Sequence, residues 1–234
     1  MRKRFLILVA LTALGCEQKV TDWDNLVERN GEYYEKFDTK PFTGNVTGEY
    51  QGQLRRGLRV GVWRSWYGNG KLAREGAFVR GEKEGTHRAW YENGQLKVEE
   101  THVSGAEEVF RRNWYENGQL EREGTLVNGR AQGLWRAWYE DGKPQEEGTF
   151  ANGAADGLYR WWFENGQLKR EATYVKEKVN GLERKWYRNG RLMREQNFLS
   201  GRRQGLTQVW HRDGQLKREI CYSNDKEVEM NRCR

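Results

Sequence analysis

WYENGQLEREGTL, residues 114–126, decides the fold of this chain. Asn117-Gly118 lies between Trp114-Tyr115 and Leu120, residues that suit strands. Asn-Gly between such flanks is the strongest short hairpin signal, because a type I′ turn needs φ > 0 at both central residues. The same segment, or a close variant, starts at Trp66, Trp90, Trp114, Trp138, Trp162, Trp186 and Trp210, always 24 residues apart. Helical periodicity is absent. A fixed period of this length marks a repeat architecture, in which each unit buries its apolar face only against its neighbours.

With each Trp as position 0, the other constants fall into place. Position −5 is Gly61, Gly85, Gly133, Gly157, Gly181 or Gly205, with Val109 in the third copy. Position −2 is Arg64, Arg88, Arg112, Arg136, Arg160 or Arg184, then Gln208. Position +6 is Leu in six copies and Pro144 in the fourth. Position +9 is Glu75, Glu99, Glu123, Glu147, Glu171, Glu195 and Glu219 without exception. Position +12 is aromatic or apolar, as in Phe78, Phe150, Tyr174 and Phe198, except for His102.

A two-residue loop pairs positions whose offsets sum to seven. Tyr91 then faces Leu96, Trp90 faces Lys97 and Arg88 faces Glu99. The arginine and glutamate rows become cross-strand neighbours on the Trp face, with Gln208 opposite Glu219 in the last copy. Each exposed pair contributes about 0.2–1 kcal/mol, and Arg lying over Trp adds a cation–π attraction. The opposite face carries Tyr or Phe at +1, Leu at +6, Trp63, Trp135 or Tyr159 at −3, and position +12. It is the more apolar face, and one hairpin cannot bury it alone. The expected fold is all-β: tandem 24-residue antiparallel hairpins in an elongated, twisted, single-layer sheet. At about 4.8 Å and 20° per strand, seven hairpins reach roughly 65–70 Å and twist strongly.

Ahead of the array stands a targeting segment. Arg2, Lys3 and Arg4 precede the apolar run Phe5 to Leu14, which is too short to span a bilayer of about 30 Å. Thr12-Ala13-Leu14-Gly15-Cys16 resembles a bacterial lipobox, which makes residues 1–15 a lipoprotein signal peptide and Cys16 the lipidated first residue of the mature chain. Acyl chains anchor at about 0.8 kcal/mol per buried CH2. The expected location is therefore the bacterial cell envelope. Removing three basic residues and no acidic one lowers the formal charge from +7 to +4. Residues 16–40 read as a tether with a short helix around Asn25 to Phe37. Residues 41–222 form the array, whose shortened first unit carries Gly44 at −5, Tyr50 at +1 and Leu54 at +6; residues 223–234 form a polar cap. In an oxidising compartment Cys221 and Cys233, twelve apart, are placed to close a disulfide around that tail.

Mean hydropathy is −1.06 and 32 % of residues are charged, values that border on disorder, but 11 Trp, 11 Tyr and 8 Phe oppose it. The chain reads as folded, thin and poor in deep aliphatic core. Charges alternate in sign, which with export argues against nucleic acid. No H-E-x-x-H, G-x-S-x-G or P-loop is present. His87, His102 and His211 occupy positions where other copies carry Trp, Phe or Tyr, and every glutamate at +9 but Glu219 is matched by an arginine. No enzyme, metal site, cofactor or small-molecule substrate is expected.

Tandem W-Y-x-N-G-x-L-x-x-E units with spaced glycines, over about residues 41–222, resemble the bacterial variant of the MORN repeat, typical of proteins labelled YwqK-type antitoxins of toxin–antitoxin systems. The resemblance implies an extended array of antiparallel hairpins that holds a partner protein or a membrane. The functional expectation is a non-enzymatic envelope lipoprotein acting as a protein-binding scaffold, with the Trp, Arg and Glu rows as its candidate binding face. The alternatives are an antitoxin or immunity protein whose partner is a toxin, and a binder of glycan or anionic lipid. The third copy and the loops at +13 to +18 vary most and are the candidate specificity elements.

Overall fold

A computed structural model describes residues 19–102 and 108–233; the segment expected to be a signal peptide and Cys16 lie outside them. Twenty strands are present among the described residues. At the N-terminal end are β1 (Val20–Asp22), β2 (Leu26–Arg29), β3 (Glu32–Glu35), β4 (Gly44–Thr47) and β5 (Tyr50–Arg55). Seven hairpins follow: β6 (Leu58–Trp66) with β7 (Leu72–Val79), β8 (Glu82–Trp90) with β9 (Leu96–His102), β10 (Glu108–Trp114) with β11 (Leu120–Val127), and β12 (Arg130–Trp138) with β13 (Pro144–Ala151). The last three are β14 (Ala154–Trp162) with β15 (Leu168–Val175), β16 (Lys178–Trp186) with β17 (Leu192–Leu199), and β18 (Arg202–Trp210) with β19 (Leu216–Ser223). Strand β20 (Lys226–Val228) closes the row. Strands β4 to β20 pair in sequence order as one antiparallel meander, β1 adds parallel to β4, and β2–β3 form a separate hairpin. No helix among the described residues is long and apolar enough to cross a membrane.

The two kinds of corner exchange the roles expected of them. At Asn-Gly only the glycine has positive φ, for example Gly94 at 93°. The Gly94 N–H donates to the Tyr91 carbonyl (2.9 Å) and the Tyr91 N–H to the Gln95 carbonyl (2.8 Å). That is a three-residue loop, a type I turn followed by a left-handed glycine. The type I′ turns lie instead between modules, at Arg80-Gly81, Asn128-Gly129, Asn152-Gly153, Lys176-Glu177, Ser200-Gly201 and Asn224-Asp225, where both residues have positive φ. The variable segment at +13 to +18 is thus a two-residue turn entering a strand wherever it is described, and not a loop. In the second copy residues 103–107 of this segment lie outside the described residues.

The extra loop residue corrects the register locally. Trp90 faces Leu96, not Lys97, and Tyr91 does not face Leu96. A bulge then absorbs the slip between Trp90 and Ala89, so that Ala89 faces Val98 and Arg88 faces Glu99 as expected. Leucine +6 consequently sits across from Trp, on the Arg/Glu face, because residues directly opposite share a face and a one-residue slip changes it. Tyrosine +1 lies in the turn, off both faces.

A second irregularity bends the sheet between modules. Glu75 faces Arg88 and Ala77 faces Glu84, so Gly85 to His87 span the single residue Gly76. Gly85 has φ 67° with nothing within 4 Å of a Cβ built on it, so glycine serves conformation there, not space. Where Val109 replaces this glycine, β9 and β10 pair without interruption from His102↔Val109 to Val98↔Asn113.

Residues 19–40 fold back as a cap and contain no α-helix: the segment expected to be helical is a 3-10 turn (Trp23–Asn25) and the β2–β3 hairpin. Trp23, Leu26 and Tyr33 lie on a cluster of buried apolar side chains, Phe42, Val46, Leu54 and Trp63. The first unit is shortened as expected, but its numbering changes. Gly44 faces Leu54 as Gly61 faces Phe78, which makes Leu54 equivalent to +12, and Tyr50 to +8.

At the other end Cys221 of β19 bonds Cys233, with their Cα atoms 5.8 Å apart. Closing so short a loop contributes on the order of 2–3 kcal/mol. Cys233→Ser or reductant should therefore loosen residues 216–233 in hydrogen exchange, while β6 to β15 keep their protection, because repeats contact only their neighbours. Uniform loss of protection along the chain would refute this independence.

Candidate interaction surface

Each module presents the same three positions in rows on one face, with Thr86 interrupting the apolar row in the second. Arg64, Glu75, Arg88, Glu99, Arg112, Glu123, Arg136, Glu147, Arg160, Glu171, Arg184, Glu195, Gln208 and Glu219 follow one another across β6 to β19, each facing the next in register. Inside a module the Arg Nε donates to Glu Oε2 at 2.6–3.2 Å. Between modules Arg112, Arg136, Arg160 and Arg184 reach the preceding glutamate at 3.7–3.9 Å. Glu99, Glu123, Glu147 and Glu171 are thus each shared by two guanidinium groups, a continuation beyond the isolated pairs that the sequence indicated. Both partners are partly solvated, so the row defines the register and charge of the face more than its stability.

On one side of this ladder run the half-buried Trp66, Trp90, Trp114, Trp138, Trp162, Trp186 and Trp210, each opposite position +6. On the other side, position −4 supplies the exposed Val62, Phe110, Leu134 and Leu158, opposite Ala77 and Thr125, Thr149 and Thr173. This apolar row had a period but no named role in the sequence, because a lone Leu or Val does not announce which face it takes.

The other face carries the ring at −3, whose place is made by position +10 of the preceding module. A Cβ added to Gly52, Gly76, Gly124 or Gly148 would stand 2.0–2.4 Å from Trp63, His87, Trp135 or Tyr159. His87 reproduces the tryptophan it replaces: its Nε2 lies 2.7 Å from the Ala77 carbonyl, as the indole N–H groups of Trp63 and Trp135 donate to Gln53 and Thr125. Burial holds its pKa below the ordinary histidine value. Later modules replace the ring by Glu183 or Thr207 and the glycine opposite it by Ala172 or Gln196. There Glu183, 3 % exposed beside Ala172, binds Arg170 (2.7 Å), Lys185 (3.6 Å) and Arg194 (3.7 Å). Burial lowers the pKa of Lys185, and Arg194 and Arg170 lower it further.

The Asn-Gly corners form one long edge, stapled from module to module. Tyrosine +1 donates its hydroxyl to the backbone carbonyl of the next Trp, from Tyr67 to Trp90 through Tyr187 to Trp210, at 2.5–2.8 Å. Asparagine +3 accepts from the N–H of +5 and donates Nδ2 to the carbonyl of +2 in the next module, as Asn93 does to Glu116 (2.9 Å). Phe163 and Asp141 each lack one of these donors. Side chains of +2 are free of these staples: Glu92, Glu116, Glu140 and Glu164 give way to Arg188 and Arg212. Among the described residues no group of three His, Cys, Asp or Glu could hold a metal ion.

No curated protein matches the chain. Among solved structures, "Crystal Structure of TarM" is similar at 12 % identity and a TM-score of 0.28, over 42 % of this chain and 19 % of that one, which is too slight to inform fold or function. The family model described as MORN repeat variant matches seven times, at residues 59–79, 83–103, 111–128, 131–152, 155–176, 179–199 and 203–224. These matches coincide with the seven hairpins and cover most of the chain, which belongs to the MORN repeat variant family.

Proposed function

We propose that the protein is a non-enzymatic scaffold that holds a partner protein on its three-row face, anchored in the bacterial envelope by lipid on Cys16. The observation that carries this reading is the exposed apolar row Val62, Phe110, Leu134 and Leu158 beside a ladder of Arg and Glu. Apolar area flanked by fixed charge of both signs suits a protein surface, which can match it in shape and register. The glutamates would repel an anionic lipid, and an uncharged glycan would leave the Arg–Glu ladder with no charge to match. An immunity or antitoxin protein is the same reading with a toxin as partner, and it rests on the motif's resemblance alone.

The test uses full-length protein carrying a photo-reactive residue at Leu134. The expected results are a cross-link to one protein in the membrane fraction, its loss in Leu134→Asp/Leu158→Asp, and passage of Cys16→Ser into the soluble fraction. Cross-linking only to lipid or peptidoglycan would overturn the scaffold reading. A neighbouring gene that kills only when this one is deleted would identify the partner as a toxin.

A further inference from the structure

The stapled edge carries a feature that the repeat itself does not require. Between the fifth and sixth hairpins, and reaching the corner of the seventh, it opens into a groove of about 720 Å³ floored by Phe163, Trp186 and Tyr187. Lys169, Arg188 and Arg212 line it, and no carboxylate does. Lys169 and Arg188 stand over the Phe163 ring at 5.7 and 5.5 Å, and Arg212 over Tyr187 at 5.7 Å. All three are exposed and make no ion pair among the described residues, unlike the arginines of the ladder. The molecule holds its own control. Between the first two full hairpins the same place keeps the cation at +7, Lys97 over Tyr91 at 5.0 Å, but is otherwise lined by Tyr67, Glu92 and Glu116, with carboxylates where the basic groove has Arg188 and Arg212. Position +2 therefore accepts either charge without loss of the fold, and the basic residues near the C-terminal end are available for recognition.

We propose that this groove binds an extended acidic peptide of a partner protein, with carboxylates at every third residue. The spacing comes from the array. Phe163 and Tyr187, each with its cations, are equivalent positions one module apart, and a module is two strands, or about 9.5 Å. Three residues of a polyproline II chain advance about 9.3 Å and return to the same side. Such a peptide running along the edge meets one cation cluster per turn and lays its intervening apolar side chains on the rings. Phe163 lacks the hydroxyl that would staple it to Trp186, which keeps an apolar ring surface at the groove floor. The inference deepens the scaffold reading and rests on it for the existence of a protein partner.

The probe is a fluorescein-labelled nonapeptide, (Glu-Pro-Leu)3, titrated with the full-length protein at low salt and followed by anisotropy. Arg188→Glu/Arg212→Glu copies the residue found at +2 in four other modules, so the fold should persist by circular dichroism. The double variant is expected to bind at least tenfold more weakly, Arg202→Glu within twofold of the parent, and a peptide with acids at every fourth residue severalfold more weakly. Equal binding by the double variant, or displacement of the peptide by millimolar phosphate or by phosphatidylglycerol vesicles, would overturn the proposal. If the Leu134 cross-link survives while peptide binding fails, the groove falls and the scaffold stands. Peptide binding without any cross-linked protein would spare the groove and remove the scaffold.

Discussion

Trp63→Ala should lower the stability of the N-terminal third by about 3–5 kcal/mol, the usual cost of removing a buried tryptophan. Trp63 is 4 % exposed and belongs to a cluster of buried apolar side chains, against Phe42, Val46 and Leu54. Its ring meets Trp23 edge-on at 6.0 Å and carries the Arg59 guanidinium at 4.9 Å. Truncation also leaves the Gln53 carbonyl without its indole donor. Elsewhere each module is a single layer with little to lose, so the damage should stay local. Hydrogen exchange should show residues 19–57 opening while β10 to β19 keep their protection. Trp63→His, which copies His87 in the next module, keeps a ring and a donor and should recover much of the loss. Equal damage from both substitutions would show that aromatic volume alone matters.

Gly124→Ala is expected to cost about 3 kcal/mol, the upper end of ordinary overpacking. The added methyl would lie 2.2 Å from the Trp135 ring, with no flexible side-chain end to give way. The backbone there is not left-handed, so the cost is one of space. The fifth and sixth hairpins show the remedy, since Ala172 faces Glu183 without a ring between them. Gly124→Ala/Trp135→Glu should therefore be less than additive, with a coupling of at least 1 kcal/mol in a double-mutant cycle. Additive losses would mean that Gly124 and Trp135 do not share one space.

The fold was legible because the repeat states it seven times. A single Asn-Gly or one Arg–Glu spacing is weak, but seven aligned copies average out what any one residue does for local reasons. The disulfide was legible from two cysteines near one end, and the structural role of His87 from the Trp and Tyr at its position in other copies. The candidate surface was only half legible. Arg and Glu were placed opposite each other on the assumption of a two-residue loop, whereas the loop has three residues and a bulge repays the difference before the ladder begins. The Leu +6 row changed faces for the same reason, since the slip lies between the turn and the bulge.

The tether failed differently. Nothing in residues 19–40 repeats, and Trp23, Leu26 and Tyr33 acquire a purpose only when Trp63 and Leu54 stand ready to be covered. Period, hairpin class, strand pairing order and the meeting of Arg with Glu are local properties, carried by the spacing of residues along 24 positions, and the sequence by itself determined them. Which corner takes positive φ at both residues, which glycine makes room for a ring, how tyrosine and asparagine join one module to the next, and where the edge turns basic were decided by tertiary structure. Those features depend on contacts between residues about 10 to 24 positions apart, and only the closed sheet sets such distances.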